Sequence, residues 1–219
     1  LLRRPGAYEH VAPGAIGNEA HLVVSELAGR AALARKASEL GVDLTEGQVE
    51  AALERVKERE ARGYMFEAAD ASLSLLLRDE SGWRQRLFEL ESFRVMVERR
   101  EGESVAAEAT IKVRAGGRRH IATAEGAGPV GALDNAIRAA LRDVYPELTG
   151  MSLSDYRVRV LDSSRGTQAV VRVLIESSDG EKAWSTVGVS ENIIEASWEA
   201  LAESLLYGLL HPRAEEATA

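Results

Sequence analysis

Apolar residues along this chain follow a helical period first and an alternating one afterwards. Residues 1–24 are rich in Gly and Pro and read as irregular structure ending in the short run Leu22-Val23-Val24. From Ser25 the spacing of Leu27, Ala31, Ala34 and Leu40 predicts a helix with one apolar face, and Gly41 stands where a helix C-terminus favours a left-handed residue. Thr45 and Gln48 carry the signature of a capping box, with Val49, Ala52, Leu53 and Val56 as the stripe behind it. A second helix is therefore predicted from Thr45 to about Arg62, charged on its other face and stopped by Gly63. A third run, Glu67 to Leu77, is apolar at Ala68, Ala71 and Leu75 and also at their neighbours, which predicts burial on more than one side.

From Trp83 the period shortens. Phe88 and Leu90 alternate, then Phe93, Val95 and Val97 do so one position out of phase, so a bulge is predicted near Glu91-Ser92. Val105, Ala107, Ala109, Ile111 and Val113 mark a half-buried second strand, Gly116-Gly117 a hairpin turn, and Arg119 to Ala124 a third strand. The loop Gly126-Ala127-Gly128-Pro129 then leads into a helix from about Val130 to Val144, ended by Pro146. The same grammar recurs: strands at Tyr156–Leu161, Ala169–Glu176 and Ala183–Val189, a turn at Asp179-Gly180, and a helix from about Glu191 to Leu210. Ala136, Ile137 and Leu141 align with Ala200, Leu201 and Leu205, and Gly126 matches Gly188 if the second loop is about two residues longer. The fold class is α+β: a helical subdomain over residues 1–82, a duplicated three-strand-plus-helix domain over 83–212, and a disordered tail at 213–219. Helices on one face of each sheet leave the opposite faces in need of cover, which favours a partner.

Composition narrows the function classes. Lys+Arg number 27 against 35 Asp+Glu, a net charge of −8, which argues against nucleic-acid and anionic-membrane surfaces because both need a concentrated positive field. The absence of cysteine removes disulfides, thiolate metal sites and cysteine nucleophiles, and fits a cytoplasmic protein. No apolar run approaches the roughly 20 residues that span a bilayer. A chain that opens at Leu1 without a signal-peptide pattern reads as a piece cut from a longer protein. Of the histidines, His10 and His21 cluster with acidic and amide groups, His120 lies on a strand, and His211 sits in a polar tail as an inert residue. None has metal-ligand spacing and no triad context surrounds them, so no free-standing active site emerges.

The Gly126–Pro129 loop is the better candidate for binding. Its glycines permit close backbone approach, and the N–H groups opening the next helix carry the partial positive charge that suits a carboxylate. Val130, Ala132 and Leu133 beside it would suit a small branched amino acid. Asp162, at the end of the following strand, is either the counter-charge for an ammonium group or a plain turn residue of Asp162-Ser163-Ser164-Arg165-Gly166.

Several ordered motifs carry a resemblance over nearly the whole chain. Tyr8-Glu9-His10-Val11, Gly17-Asn18-Glu19 and Val24-Ser25-Glu26-Leu27-Ala28-Gly29-Arg30 resemble the region beyond the catalytic barrel in citramalate synthases of the 2-isopropylmalate synthase family. So does Gly63-Tyr64-Met65-Phe66-Glu67-Ala68-Ala69-Asp70-Ala71-Ser72, which points to the citramalate branch. The block from Phe88 to Leu210, with Gly126–Pro129 and Asp134-Asn135-Ala136, is similar to that family's C-terminal regulatory domain. The resemblance implies a parent enzyme condensing acetyl-CoA with pyruvate to (R)-citramalate on the route to isoleucine, with its divalent metal and acetyl-CoA held by a barrel that this sequence lacks. No catalytic, cofactor or metal residue is therefore assigned in this chain, which alone is expected to be inactive. His10, Asn18, Glu19 and Arg30 are candidate lid contacts to substrate or CoA, against the plainer reading of structural contacts.

For the regulatory part, the resemblance implies a homodimer with a feedback amino acid near its interface. Gly126, Ala127, Gly128, Pro129 and Val130 would line one side, Val160 and Asp162 the next strand, and Ile193 and Ile194 the start of the last helix. Isoleucine is the expected effector, with leucine open. A purely structural dimerisation module, or the tail of a 2-isopropylmalate or homocitrate synthase, are the alternatives.

Overall fold

The computed structural model describes residues 29–83, 86–99, 101 and 104–211. Three helices come first: α1 (Arg30–Glu39), α2 (Glu46–Ala61) and α3 (Asp70–Glu80). The capping box of α2 is present, Thr45 accepting from the Gln48 N–H while the Gln48 side chain accepts from the Thr45 N–H. Gly41 and Gly63 follow the helix ends with φ of 69° and 109°. There the Val42 N–H reaches the Ala37 carbonyl and the Tyr64 N–H the Arg59 carbonyl, closing each helix with a Schellman-type turn.

Two helix expectations need correction. The buried face of α1 is Leu33 and Ala37, with Leu40 half-buried, whereas Ala31 and Ala34 are exposed and line an open groove with Leu44 and Val49. The apolar spacing was counted from Leu27, which lies outside the described residues, and so picked the neighbouring row of the helix. The third helix begins at Asp70 and runs to Glu80, because Phe66–Ala68 forms a separate 3-10 turn. Its burial all round is as expected, with every residue from Ala71 to Leu77 buried.

Then come β1 (Phe88–Glu98), β2 (Ala106–Ala115), β3 (Arg118–Gly126), α4 (Pro129–Leu141), β4 (Ser152–Val160), β5 (Val171–Ser178), β6 (Ala183–Ser190) and α5 (Ile193–Leu210). They form two antiparallel three-stranded sheets in the orders β1-β2-β3 and β4-β5-β6, so the α+β duplication stands. The predicted bulge in β1 falls between Leu90 and Ser92, and a matching one in β4 falls between Leu153 and Asp155. α4 ends at Leu141 rather than Val144, with a 3-10 turn at Pro146–Gly150 before β4, which starts four residues earlier than Tyr156.

The alignment of Gly126 with Gly188 has a steric cause. A Cβ on Gly126 would lie 2.2 Å from the Ala132 nitrogen, and one on Gly188 would lie 2.0 Å from the Ala196 carbonyl oxygen. Each glycine lets a helix lie directly on its own sheet. α4 and α5 also touch one another between the sheets. Phe93 of β1 meets Trp198 of α5 at 5.9 Å between ring centroids, while Val130 of α4 packs onto the α5–β5 cluster of Val173, Ile175, Ala196, Ala200 and Leu201.

The outer sheet faces are treated differently from the expectation. That of the second sheet is covered within the chain: Val187 and Val189 are buried with Tyr64, Phe66, Leu73, Leu76 and Leu77 of the helical subdomain. That of the first sheet is mixed: Thr110 bonded to Thr123 at 2.9 Å and Glu91 paired with Arg114 and Arg119 share it with Met96 and Ile121, which stand more than half exposed.

β6 is an edge strand, and its outward N–H groups would be unpaired without help from elsewhere. The Ser185 N–H donates to Asp70 Oδ1 at 3.3 Å, the Val187 N–H to Ser72 Oγ at 2.9 Å, and the Val189 N–H to Glu199 Oε2 at 3.0 Å. Glu199 also accepts from the Tyr64 hydroxyl at 2.6 Å, and Ser72 donates onward to Glu203. The Arg172 guanidinium donates to the Gly63 carbonyl on the adjoining side. The Gly63–Ser72 segment thus closes the sheet edge. At the far end of α5, His211 stacks on Tyr207 at 4.2 Å and bonds Arg78 at 3.0 Å, so it ties α5 to α3 rather than lying inert in a tail. The tail assigned to 213–219 lies outside the described residues.

Two stability outcomes follow from this packing. Gly188→Ala drives a methyl into backbone and should cost about 1–3 kcal/mol in urea denaturation, whereas Gly47→Ala, in open space on α2, should gain a few tenths to about 1 kcal/mol. Ser72→Ala removes the acceptor of the Val187 N–H and should cost about 1–3 kcal/mol, with faster amide exchange at Val187 than at the β5-paired positions.

Candidate functional site

The two helices that follow the sheets begin in opposite ways. At α5, Asn192 accepts from the N–H groups of Ile194 and Glu195 at 2.9 and 3.4 Å, so the first turn is capped by its own chain. At α4 the N-cap is Gly128, which has no side chain to offer, and no side-chain cap is made. Pro129 at the first position has no N–H. The first turn of α4 carries no acidic residue, so its partial positive charge meets no carboxylate of its own.

Gly128 lies in extended backbone (φ −166°, ψ 176°), and a Cβ there or at Gly131 would meet nothing within 4 Å. A side chain at either position would thus point into open space. The turn is held firmly from behind. Gly126 lies against Ala132, and the Asn135 side chain donates to the Glu125 carbonyl at 2.8 Å. Arg138, paired with Asp134 at 2.8 Å, donates to the Leu148 and Met151 carbonyls and so anchors the chain entering β4.

The apolar wall comes from the second unit. Val130 packs onto the same cluster as Tyr156 and Val171, and Val171 is the strand partner of Val160. The Tyr156 hydroxyl pairs with Ser197 Oγ at 2.8 Å, and Ser197 donates to the Ile193 carbonyl at 2.6 Å, which fastens β4 to the start of α5. Val158, Val160 and Ile193 remain exposed, Val160 to 51% and Ile193 to 43%. Large apolar side chains left open next to one another suit a ligand or a partner better than bulk water.

Of the expected residues, Val130 packs on the second unit's inner cluster, Val160 pairs with Val171 of that cluster, and the Ile193 carbonyl accepts from Ser197 at the start of α5. Ile194 turns the other way and packs on the first sheet's cluster. Asp162 accepts from the Ser164 N–H at 3.2 Å and from its hydroxyl at 2.5 Å, which is the turn-residue role. Arg30 pairs with Glu50 at 3.5 Å on an exposed surface, and His10, Asn18 and Glu19 lie outside the described residues. Tyr156 and Ser197 were missed. Their contact spans 41 positions in sequence, so only the inward parity of Tyr156 was readable.

Among the described residues no group of three or more His, Asp or Glu side chains is placed to hold a metal ion, and no helix is long and apolar enough to cross a membrane.

Comparison with known proteins accounts for the architecture. Residues 67–209 match the LeuA allosteric (dimerisation) domain, and residues 1–63 match the homocitrate synthase post-HMGL domain-like family. The (R)-citramalate synthase of Streptomyces coelicolor is 51% identical over 209 residues, covering 94% of this chain and 39% of that protein. That of Aquifex aeolicus is 42% identical over 218 residues, 98% of this chain and 41% of that protein. A probable 2-isopropylmalate synthase of Methanopyrus kandleri is 30% identical over 204 residues, 91% of this chain and 39% of that protein. The chain thus spans about two-fifths of the length of these relatives. With two sheet-and-helix units inside the matched region and helices ahead of them, this chain belongs to the LeuA allosteric (dimerisation) domain family.

Proposed function

We propose that this chain is the regulatory and dimer-forming part of a citramalate synthase, and that it binds a branched-chain amino acid as feedback effector. The parent reaction is the condensation of acetyl-CoA with pyruvate to (R)-citramalate on the route to isoleucine. Its divalent metal and acetyl-CoA would be held by a catalytic part of the parent outside this chain. The relatives named (R)-citramalate synthase, which match this chain over more than nine-tenths of its length, support the assignment of the parent. The homodimer is supported by the dimerisation domain that residues 67–209 match.

One observation carries the effector reading: the first turn of α4 is uncapped and open, while its duplicate at α5 is capped by Asn192. A carboxylate would accept hydrogen bonds from the Val130 and Gly131 N–H groups, in the field of the helix. A branched side chain would cover the exposed Val160 and Ile193. Inhibition then requires that the effector prefer one arrangement of the dimer over another, since a ligand with equal affinity for both shifts nothing.

Calorimetry with isoleucine, leucine and valine on this chain is expected to give saturable binding with at least one of them. Gly128→Leu fits the backbone and the free space, so it should keep the fold while weakening binding at least tenfold. No heat with any of the three, alongside a dimer by light scattering, would support a structural dimerisation module instead. For the parent, turnover with pyruvate and little or none with 2-oxoisovalerate is expected; the reverse would make it a 2-isopropylmalate synthase.

A further inference from the structure

The joint that closes β6 holds an imbalance of charge that the effector site does not use. Glu199 and Glu203 stand one turn apart on α5 and share the guanidinium of Arg59 from α2, at 3.8 and 3.6 Å. The groups around them come from α2, from α3 and the segment before it, and from β6. α3 contributes the Ser72 hydroxyl to Glu203, and the segment before it contributes the Tyr64 hydroxyl to Glu199. Arg59 also lies over the Tyr64 ring at 5.0 Å, and burial raises the Tyr64 phenol so that it stays a donor. Arg62 adds a further positive charge near Tyr64, and β6 offers only backbone, since residues 183–190 carry no ionisable side chain.

One guanidinium therefore faces two carboxylates. With both ionised, a net negative charge is left where only 20% of the Glu203 side chain reaches solvent. A charge held so far from water is costly, and a proton on one carboxyl removes it. We propose that Glu203 carries a proton when the helical subdomain is docked, and that this proton governs how tightly the subdomain closes the β6 edge.

The hydrogen bonding accommodates both forms. Ionised, Glu203 accepts from the Ser72 hydroxyl; neutral, its own O–H donates to Ser72 Oγ. Ser72 Oγ is also the acceptor of the Val187 N–H, so a change in where its own proton points alters how well it accepts at the sheet edge. Burial, opposed by the Ser72 hydrogen bond and by Arg59, pushes the Glu203 carboxyl from 4.5 up to about 7. A carboxyl raised in the folded state binds more protons there than in the unfolded one, so the stability of the closed joint falls as pH rises from 4.5 through about 7.

The test begins on the unaltered chain with 13C-labelled glutamate. One glutamate carboxyl is expected to titrate near neutrality and to vanish in Glu203→Gln. Glu60→Gln, which removes another enclosed carboxylate oxygen on α2, should leave that titration in place. Amide exchange at Val187 and Val189, corrected for its intrinsic pH dependence, should open about tenfold more at pH 8 than at pH 6, a difference that Glu203→Gln abolishes. The proposal is overturned if no glutamate titrates between about pH 6 and 8 in the unaltered chain, if the titration survives Glu203→Gln, or if edge exchange ignores pH. The first and last of these need no variant, so a misfolded mutant cannot shelter it.

Discussion

An edge strand leaves every second backbone N–H facing outward, and in a sheet packed on both faces those groups must find acceptors inside the molecule. At β6 they find Asp70, Ser72 and Glu199, spaced to meet Ser185, Val187 and Val189. Two of the acceptors come from the start of α3 and one from α5. The strand edge therefore binds the helical subdomain and the last helix into one body. Because α5 also lies directly on its sheet at Gly188, little freedom remains in how its first turn is presented.

The duplication adds a second constraint. Both units place a bulge early in the first strand, a glycine at the end of the third, and a helix lying on that glycine. The same steric demand is thus met twice by the same means. The copies differ at the entry to the helix. Asn192 closes one entry, and Gly128 with Pro129 leaves the other without a partner. Equivalent backbone with unequal capping is how a repeated fold acquires a single polar opening instead of two.

Charge is distributed with a similar division. The outer face of the first sheet pairs its charges across strands near solvent, as at Glu91 with Arg114 and Arg119, where ion pairs are worth little. The joint beneath β6 encloses Glu199, Glu203 and Arg59 more deeply, and their count does not balance. Polar groups placed there tie the closure to their protonation, which an apolar contact would not do.

Much of this was readable along the chain because it rests on local rules. The capping box at Thr45, the left-handed glycines Gly41 and Gly63, the Gly116-Gly117 turn and the phase slip after Leu90 each depend on neighbours a few residues away. The repeat was legible through Gly126 and Gly188, since a close helix-to-sheet approach admits no side chain. The α1 face was misread because Leu27, Ala31 and Ala34 make one i, i+4, i+7 row and Leu33, Ala37 and Leu40 another, and the third helix because Phe66–Ala68 keeps its own tighter turn. Of the candidate site, the glycine loop and its open helix entry were local and so were visible; the turning of Ile194 onto the other sheet and the Tyr156–Ser197 link were not. Sequence alone determined the elements, their order and the repetition, because these follow from short-range backbone preference and apolar period. Only the tertiary structure decided that Asp70 and Ser72 seal one strand edge beside Glu199, because hydrogen bonds across more than a hundred residues leave no periodic trace in the chain.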